Sequence, residues 1–468
     1  MAPTDRRLSV LIGAGVALGF LLIQIGEVTV SDGADMLAVS QAILHHASFA
    51  VPAANGAIGR GGHYYAKYGI GLSVAVLPLL AIADVVAIVV KHQSELESFA
   101  ASSSMPIVMG LLTTALWRSS RKLGAGPRWA TVLAVGAAVG SYALPYGKDF
   151  FTEPLTALGI ALAFNELLSD RYATAGLALA LAVVTRPEAV VLVGAIPLVV
   201  WVSRGFRHAL ICGLAAATGV VVDAAYDLVR FGSLFSSGYR GESFSTPFLR
   251  GAGGLLFGTN KSLILFAPIV ILLVPACAWL WRENRYFVLL AITNFAVFFV
   301  LAALWHSWQG GWSWGPRLLL PGLLPAIALL ARANRLQRRI ATGLLVVGFA
   351  FSAATLLVPT EAQLRDHPLP LNGPSILRQY ELVPTVVSYS VDHLTVKVHV
   401  AGASQRYLSL WQVNLGRELG DEGLLFGLVG TIVLLAALVF VMARARPLLV
   451  PPPIASRVTT AAGPEPLM

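Results

Sequence analysis

The chain has 468 residues, of which 56% are hydrophobic and 12% charged. A soluble domain carries about 25% charged residues, so a soluble fold is excluded. The net charge of +9 lies in short clusters between apolar runs, the pattern of cytoplasmic loops in a membrane protein rather than of a nucleic-acid-binding face. Cys212 and Cys277 both fall inside apolar runs with no CxxC or Cys/His spacing, which implies neither a disulfide framework nor a structural zinc.

A membrane-crossing helix needs about 20 apolar residues, and such runs recur from Leu8 to Leu449. Arg6 and Arg7 precede the first run as in a signal peptide, but no small-residue cleavage site follows, so the run is read as the first span. Three apolar segments, 8–30, 69–90 and 99–117, separate these arginines from the next basic cluster at Arg118, Arg121, Lys122 and Arg128. If all three crossed, that cluster and every later one would be inverted. The segment 69–90 is broken by Gly69, Gly71 and Pro78 and carries Asp84, so it is expected to lie on the outer surface as an interfacial helix. The spans then run 8–30, 99–117, 129–146, 153–168, 172–185, 189–203, 209–226, 262–281, 286–304, 317–331, 338–358 and 423–443. Both termini are expected in the cytoplasm of a cell whose plasma or inner membrane holds the protein. Residues 1–358 form the transmembrane module, 359–422 a small extracytoplasmic cap with β-like stretches (VPTVVSYS, LTVKVHV), and 444–468 a disordered proline-rich tail.

The long loops, 31–98, 227–261 and 359–422, share the outer face, and loops on a rigid scaffold carry function. The first opens on SDGAD, with Asp32 and Asp35, and closes on HYYAKY, with Tyr64, Tyr65 and Lys67. Next come YGKDFFTEP, with Lys148, Asp149 and Glu153, and TRPE, with Arg186 and Glu188 at a hairpin in the membrane. Charges at that depth are paired or functional. RFGS at 230–233 leads to Lys261, and WHSWQGGWSWGPR at 305–317 packs four of the 10 tryptophans beside Arg317. Indoles stack on sugar faces. A transporter or flippase of a lipid-linked sugar or other anionic solute is the alternative reading of these basic and aromatic residues. It would invest in both faces and in midplane charges or broken helices.

SDGAD at 31–35, YYAKYGIG at 64–71, KDFFTEP at 148–154, TRPE at 185–188, RFGS at 230–233 and GGWSWGPR at 310–317, in that order and on one face, resemble the GT-C glycosyltransferases that use polyprenyl-phosphate-linked sugars. Protein O-mannosyltransferases and the lipid A aminoarabinose transferase belong to that superfamily. The resemblance implies an all-α polytopic membrane fold, a GT-C-like bundle of about twelve transmembrane helices with surface helices in the first outer loop. It implies inverting transfer of a hexosyl or pentosyl group from a lipid-phosphate donor to a glycan, lipid or protein acceptor on the extracytoplasmic side, with membrane lipid around the site. On that basis Asp32 or Asp35 is the general base, with Asp32 favoured, and Lys67, Arg186, Lys261 and Arg317 contact the donor phosphate. Tyr64, Tyr65, Asp149, Glu153, Trp308, Trp312 and Trp314 contact acceptor or sugar. Some GT-C enzymes hold a divalent cation at the two acidic motifs; no dense oxygen-ligand cluster fixes one in this sequence.

Overall fold

A computed structural model describes residues 1–234, 237–239, 241–258, 261–311, 313–356 and 411–449. The fold is polytopic and helical, and six of the described helices are long and apolar enough to cross a membrane. α1 (Pro3–Ile23) begins with a proline in its first turn, where a missing N–H costs nothing. α2 (Ser31–His46) ends on Ala47 in the left-handed region, at φ 48°. A short antiparallel pair, β1 (Ala57–Ile58) and β2 (Tyr64–Tyr65), follows. α3 (Gly71–Ala75) and α4 (Leu77–Val90) fill the segment expected at the interface, and α4 turns Val85, Ile88 and Val89 outward.

α5 (Gln93–Lys122) is longer than the 99–117 span expected, and its buried face is largely Ala, Ser, Gly and Met. Small residues let membrane helices approach closely where no hydrophobic effect drives them together. A Cβ on Gly110 would lie 2.7 Å from the Gly13 carbonyl oxygen and 2.8 Å from Ala17 Cβ. α6 (Pro127–Val139) stops short of the expected 146, and the chain turns through a 3-10 segment at Pro145–Gly147. α7 (Thr152–Leu167) is buried along nearly its whole length and packs against α5 and α8 (Tyr172–Thr185). α9 (Val191–Arg204) leads into α10 (Phe206–Phe231), which lies along α8 with Gly176 against Cys212 and Gly219 against Ala180.

α11 (Phe248–Phe257) and α12 (Leu263–Phe266) precede α13 (Val270–Leu304), where the two expected spans 262–281 and 286–304 join through a break at Asn284. The expected span 317–331 is not one regular helix. α14 (Leu320–Ala326) is flanked by 3-10 segments at Arg317–Leu319 and Ile327–Arg332. Pro321 and Pro325 remove backbone donors in this stretch. Asn294 on α13 donates to the Pro321 and Gly322 carbonyls at 3.0 and 3.3 Å, the re-satisfaction by a neighbour that such breaks require in a membrane. After α15 (Arg335–Ala353), α16 (Trp411–Leu449) extends beyond the expected 423–443 at both ends, taking in 411–422 from the expected cap and 444–449 from the expected tail. It bends back on itself, with Trp411 against Gly430 and Gln412 against Gly427. The β-like stretches of the cap and the rest of the tail lie outside the described residues.

The close α1–α5 crossing sets a test. Gly110→Val should lower the thermal unfolding midpoint in detergent by an amount matching about 1–3 kcal/mol of overpacking. Gly253→Ala, where an added Cβ meets nothing within 4 Å, should leave the midpoint level or raise it.

Candidate functional site

The first turn of α7 presents Glu153, and the polarity of a helix N-terminus favours a carboxylate there. The side chain is 2% exposed and meets Arg186 Nη1 at 2.5 Å and Arg317 Nε at 3.7 Å. Arg186 sits at the α8 turn because Pro187 ends the helix, and its Nε reaches Glu188 at 2.5 Å. Arg317 comes from the tryptophan-rich loop, where Gly310, at φ 73°, gives it room: a Cβ there would lie 2.9 Å from Arg317 Cγ. The same guanidinium reaches Asp32 Oδ2 at 2.8 Å. Tyr68 donates its hydroxyl to Asp32 Oδ1 at 2.7 Å. Burial acts to raise the Asp32 pKa, but Arg317, Tyr68 and Lys67 outweigh it and hold the carboxyl below its ordinary value.

These groups line one cavity of about 580 Å³, within the range of small-molecule sites. Lys67 enters it between the rings of Tyr68 and Tyr239, 5.6 and 5.1 Å from their centroids, and its Nζ meets Glu242 at 2.5 Å. Below it, Arg230 is 1% exposed, lies 3.6 Å from the Tyr226 ring centroid and pairs with Asp227 at 2.6 Å. Arg230 also donates to the carbonyls of Ala66 and Tyr68, fixing the backbone on either side of Lys67. Burial pushes the Tyr68 and Tyr239 hydroxyls well above their usual range, so both stay protonated donors.

Of the residues expected from sequence, Asp32, Lys67, Glu153, Arg186 and Arg317 line the cavity. The others are held elsewhere. Asp35 accepts from Asn55 at 3.0 Å, and burial raises its pKa. Asp149, 2% exposed, accepts from the Thr29 hydroxyl and from the Phe150 amide at 2.7 Å, tying the start of α7 to the link that leads into α2. Lys261 is buried and donates to Ser313 Oγ at 2.9 Å and to the Gly311 carbonyl at 3.3 Å, so it shapes the loop that carries Arg317. Tyr64 and Tyr65 form β2, and Tyr65 packs on Gly56 and Gly59. Trp308 packs on Gly254, and Trp314 is buried with its ring edge-on to Phe266 at 5.4 Å. Trp312 lies outside the described residues.

Sequence reasoning marked Glu188 only as the charge beside Arg186 and gave Tyr68, Tyr239, Glu242 and Trp305 no role of their own; all five line the cavity. Among the described residues, Trp305, in contact with Tyr239, is the indole that the tryptophan-rich loop brings there. The two acidic motifs do not form a cation cage. Asp32 and Glu153 share Arg317, while Asp35 and Asp149 are satisfied by Asn55 and by Thr29 with Phe150. Asp32 and Glu153, whose charge the shared guanidinium already neutralises, do not fit a metal.

The fold and this cavity define a multi-pass membrane protein with its charged groups gathered at helix ends. No family model and no curated protein sequence matches the chain. Among solved structures it is similar to ArnT from Cupriavidus metallidurans bound to undecaprenyl phosphate, with a TM-score of 0.51 and 13% identity over 94% of this chain and 75% of that one. The apo state of the same ArnT gives 0.52 and 13% over 94% and 74%. The likeness shows that the chain shares the polytopic helical fold of that ArnT.

Because Glu153 is buried between two arginines, Glu153→Ala should cost about 3–5 kcal/mol, the penalty for stranding buried charge. Thermal unfolding in detergent would read this as a loss much larger than that of Glu166→Ala, whose carboxylate pairs with exposed Arg171 at 3.5 Å.

Proposed function

We propose that the chain is a membrane glycosyltransferase that takes a sugar from a polyprenyl-phosphate carrier and passes it to an acceptor hydroxyl on the extracytoplasmic side, with inversion. The observation that carries this reading is the convergence of Asp32, Lys67, Arg186 and Arg317 on one cavity in a fold like that of ArnT, which has been solved bound to undecaprenyl phosphate. A carboxylate held ionised beside cations is what the transfer requires. The acceptor oxygen attacks the anomeric carbon and Asp32 takes its proton. The bond from that carbon to the phosphate oxygen breaks, and the polyprenyl phosphate leaves with the electron pair. Lys67, Arg186 and Arg317 stabilise the negative charge that develops on it, an effect that is strong where water is excluded. A single displacement of this kind inverts the anomeric centre. Trp305 and Tyr239 offer ring faces to the sugar.

Among the described residues, each lysine and arginine lining the cavity is already paired with a carboxylate: Lys67 with Glu242, Arg186 with Glu188 and Glu153, Arg230 with Asp227, Arg317 with Asp32. Donor phosphate therefore enters by exchange. Glu242 is the group that yields, because it comes from a loop, whereas Asp32, Glu153 and Glu188 stand in the first turns of helical segments.

In reconstituted membranes, Asp32→Asn should reduce transfer at least a hundredfold while polyprenyl phosphate still binds, and Asp35→Asn should have a far smaller effect. Full transfer by Asp32→Asn would refute the assignment, and sugar-lipid movement without a covalent product would point to a flippase. Tyr68→Phe should move the acid limb of the pH–rate profile upward, since it removes a hydrogen bond that holds the Asp32 pKa below 3.8. Glu242→Gln should tighten polyprenyl phosphate binding severalfold, read by calorimetry, whereas Lys67→Ala should weaken it.

A further inference from the structure

Away from the cavity, His45 at the end of α2, Asp84 on α4 and Glu97 in the second turn of α5 converge. One ligand atom from each lies within 4.8 Å of the other two, and they are the only group of three His, Cys, Asp or Glu residues so placed among the described residues. His45 Nε2 is 2.9 Å from Glu97 Oε1, and His45 Nδ1 is 3.8 Å from Asp84 Oδ2. Glu97 is 3% exposed. Among the described residues neither Asp84 nor Glu97 has a lysine or arginine at ion-pair distance. Two carboxylates gathered on one imidazole without a basic partner call for a counter-charge.

We propose that these three side chains form a zinc site that pins α2 and α4 to the head of α5. One imidazole and two carboxylates suit Zn²⁺, which accepts both donor types at about 2.0–2.2 Å. Ligands at that radius in a tetrahedron stand about 3.4 Å from one another; taking one ligand atom per side chain, and so a single imidazole nitrogen, the three atoms lie within 4.8 Å of one another, and side-chain rotation alone closes that difference. The supporting shell is also present. Gln41 donates to the far oxygen Oε2 of Glu97 at 2.5 Å, and Gln93 donates to Asp84 Oδ1 at 3.2 Å and to Glu97 Oε1 at 2.9 Å. Amide donors of this kind orient carboxylate ligands for a metal. The side chains of His45 and Asp84 are 28% and 25% exposed, which leaves the fourth position open to water and gives the ion a path in. His45 stands thirteen residues after Asp32 on α2, about 20 Å along the helix. The ion therefore touches no reacting atom and acts by fixing the helix that carries Asp32.

The test uses the full chain in detergent with no polyhistidine tag, stripped with a chelator and titrated with Zn²⁺ alone. We expect one zinc per chain at micromolar or lower concentration, a rise in the unfolding midpoint on loading, and no such rise with Mg²⁺ or Ca²⁺. His45→Ala and Asp84→Asn should each weaken uptake at least tenfold and abolish the rise. His63→Ala, at an exposed histidine outside the cluster, should change neither. Both ligand variants alter partly exposed side chains, so their folding can be confirmed from an unloaded midpoint close to that of the stripped parent. Substoichiometric zinc in the parent, or uptake by His45→Ala and Asp84→Asn equal to the parent's, would overturn the proposal.

Discussion

The site is organised by one buried carboxylate. Removing Glu153 and two guanidinium groups from water is costly unless they neutralise one another, and the chain meets that condition by drawing three elements to a point. Glu153 is fixed by the first turn of α7, Arg186 by the proline-ended turn of α8, and Arg317 by a glycine-rich loop. Arg317 then reaches across to Asp32 on α2, so the position of the carboxylate facing the cavity depends on a charge lodged deeper in the protein. Asp149 and Lys261 serve the same arrangement from behind, one clamping the start of α7 to the link that leads into α2 and the other shaping the loop below Arg317.

The long apolar runs and their basic boundaries made the bundle legible. Residues 172–185 form α8 to the residue, and α7 lies one residue from its expected place, because each helix is bounded by charged or turn-forming residues that cannot stay in the apolar layer. The stretch 317–331 was less legible. Its hydropathy reads as a span, while Pro321 and Pro325 force short helices that hold only because Asn294, more than twenty residues upstream, caps the freed carbonyls. Hydropathy carries no record of such a long-range partner.

The candidate site divides in the same way. Asp32, Lys67, Arg186 and Arg317 stood out because a charge beside an apolar run demands a reason. Sequence favoured Asp32 over Asp35 only narrowly, since the difference lies in Arg317 and Tyr68 on one side and Asn55 on the other. Glu242 faces Lys67 across 175 positions, a pairing with no local signature. The tryptophan loop was correctly marked as dense, yet Trp308 and Trp314 spend their rings on Gly254 and Phe266 while Trp305 reaches the cavity. Counting aromatic residues locates a loop; it does not tell which ring is packed and which is presented.

Arg230 secures the strand of chain around Lys67 by grasping the carbonyls of Ala66 and Tyr68 rather than any side chain. Backbone oxygens are the same whatever residue bears them, so this hold on the lysine's seat draws nothing from the Tyr68 side chain, whose hydroxyl is left free to hold Asp32.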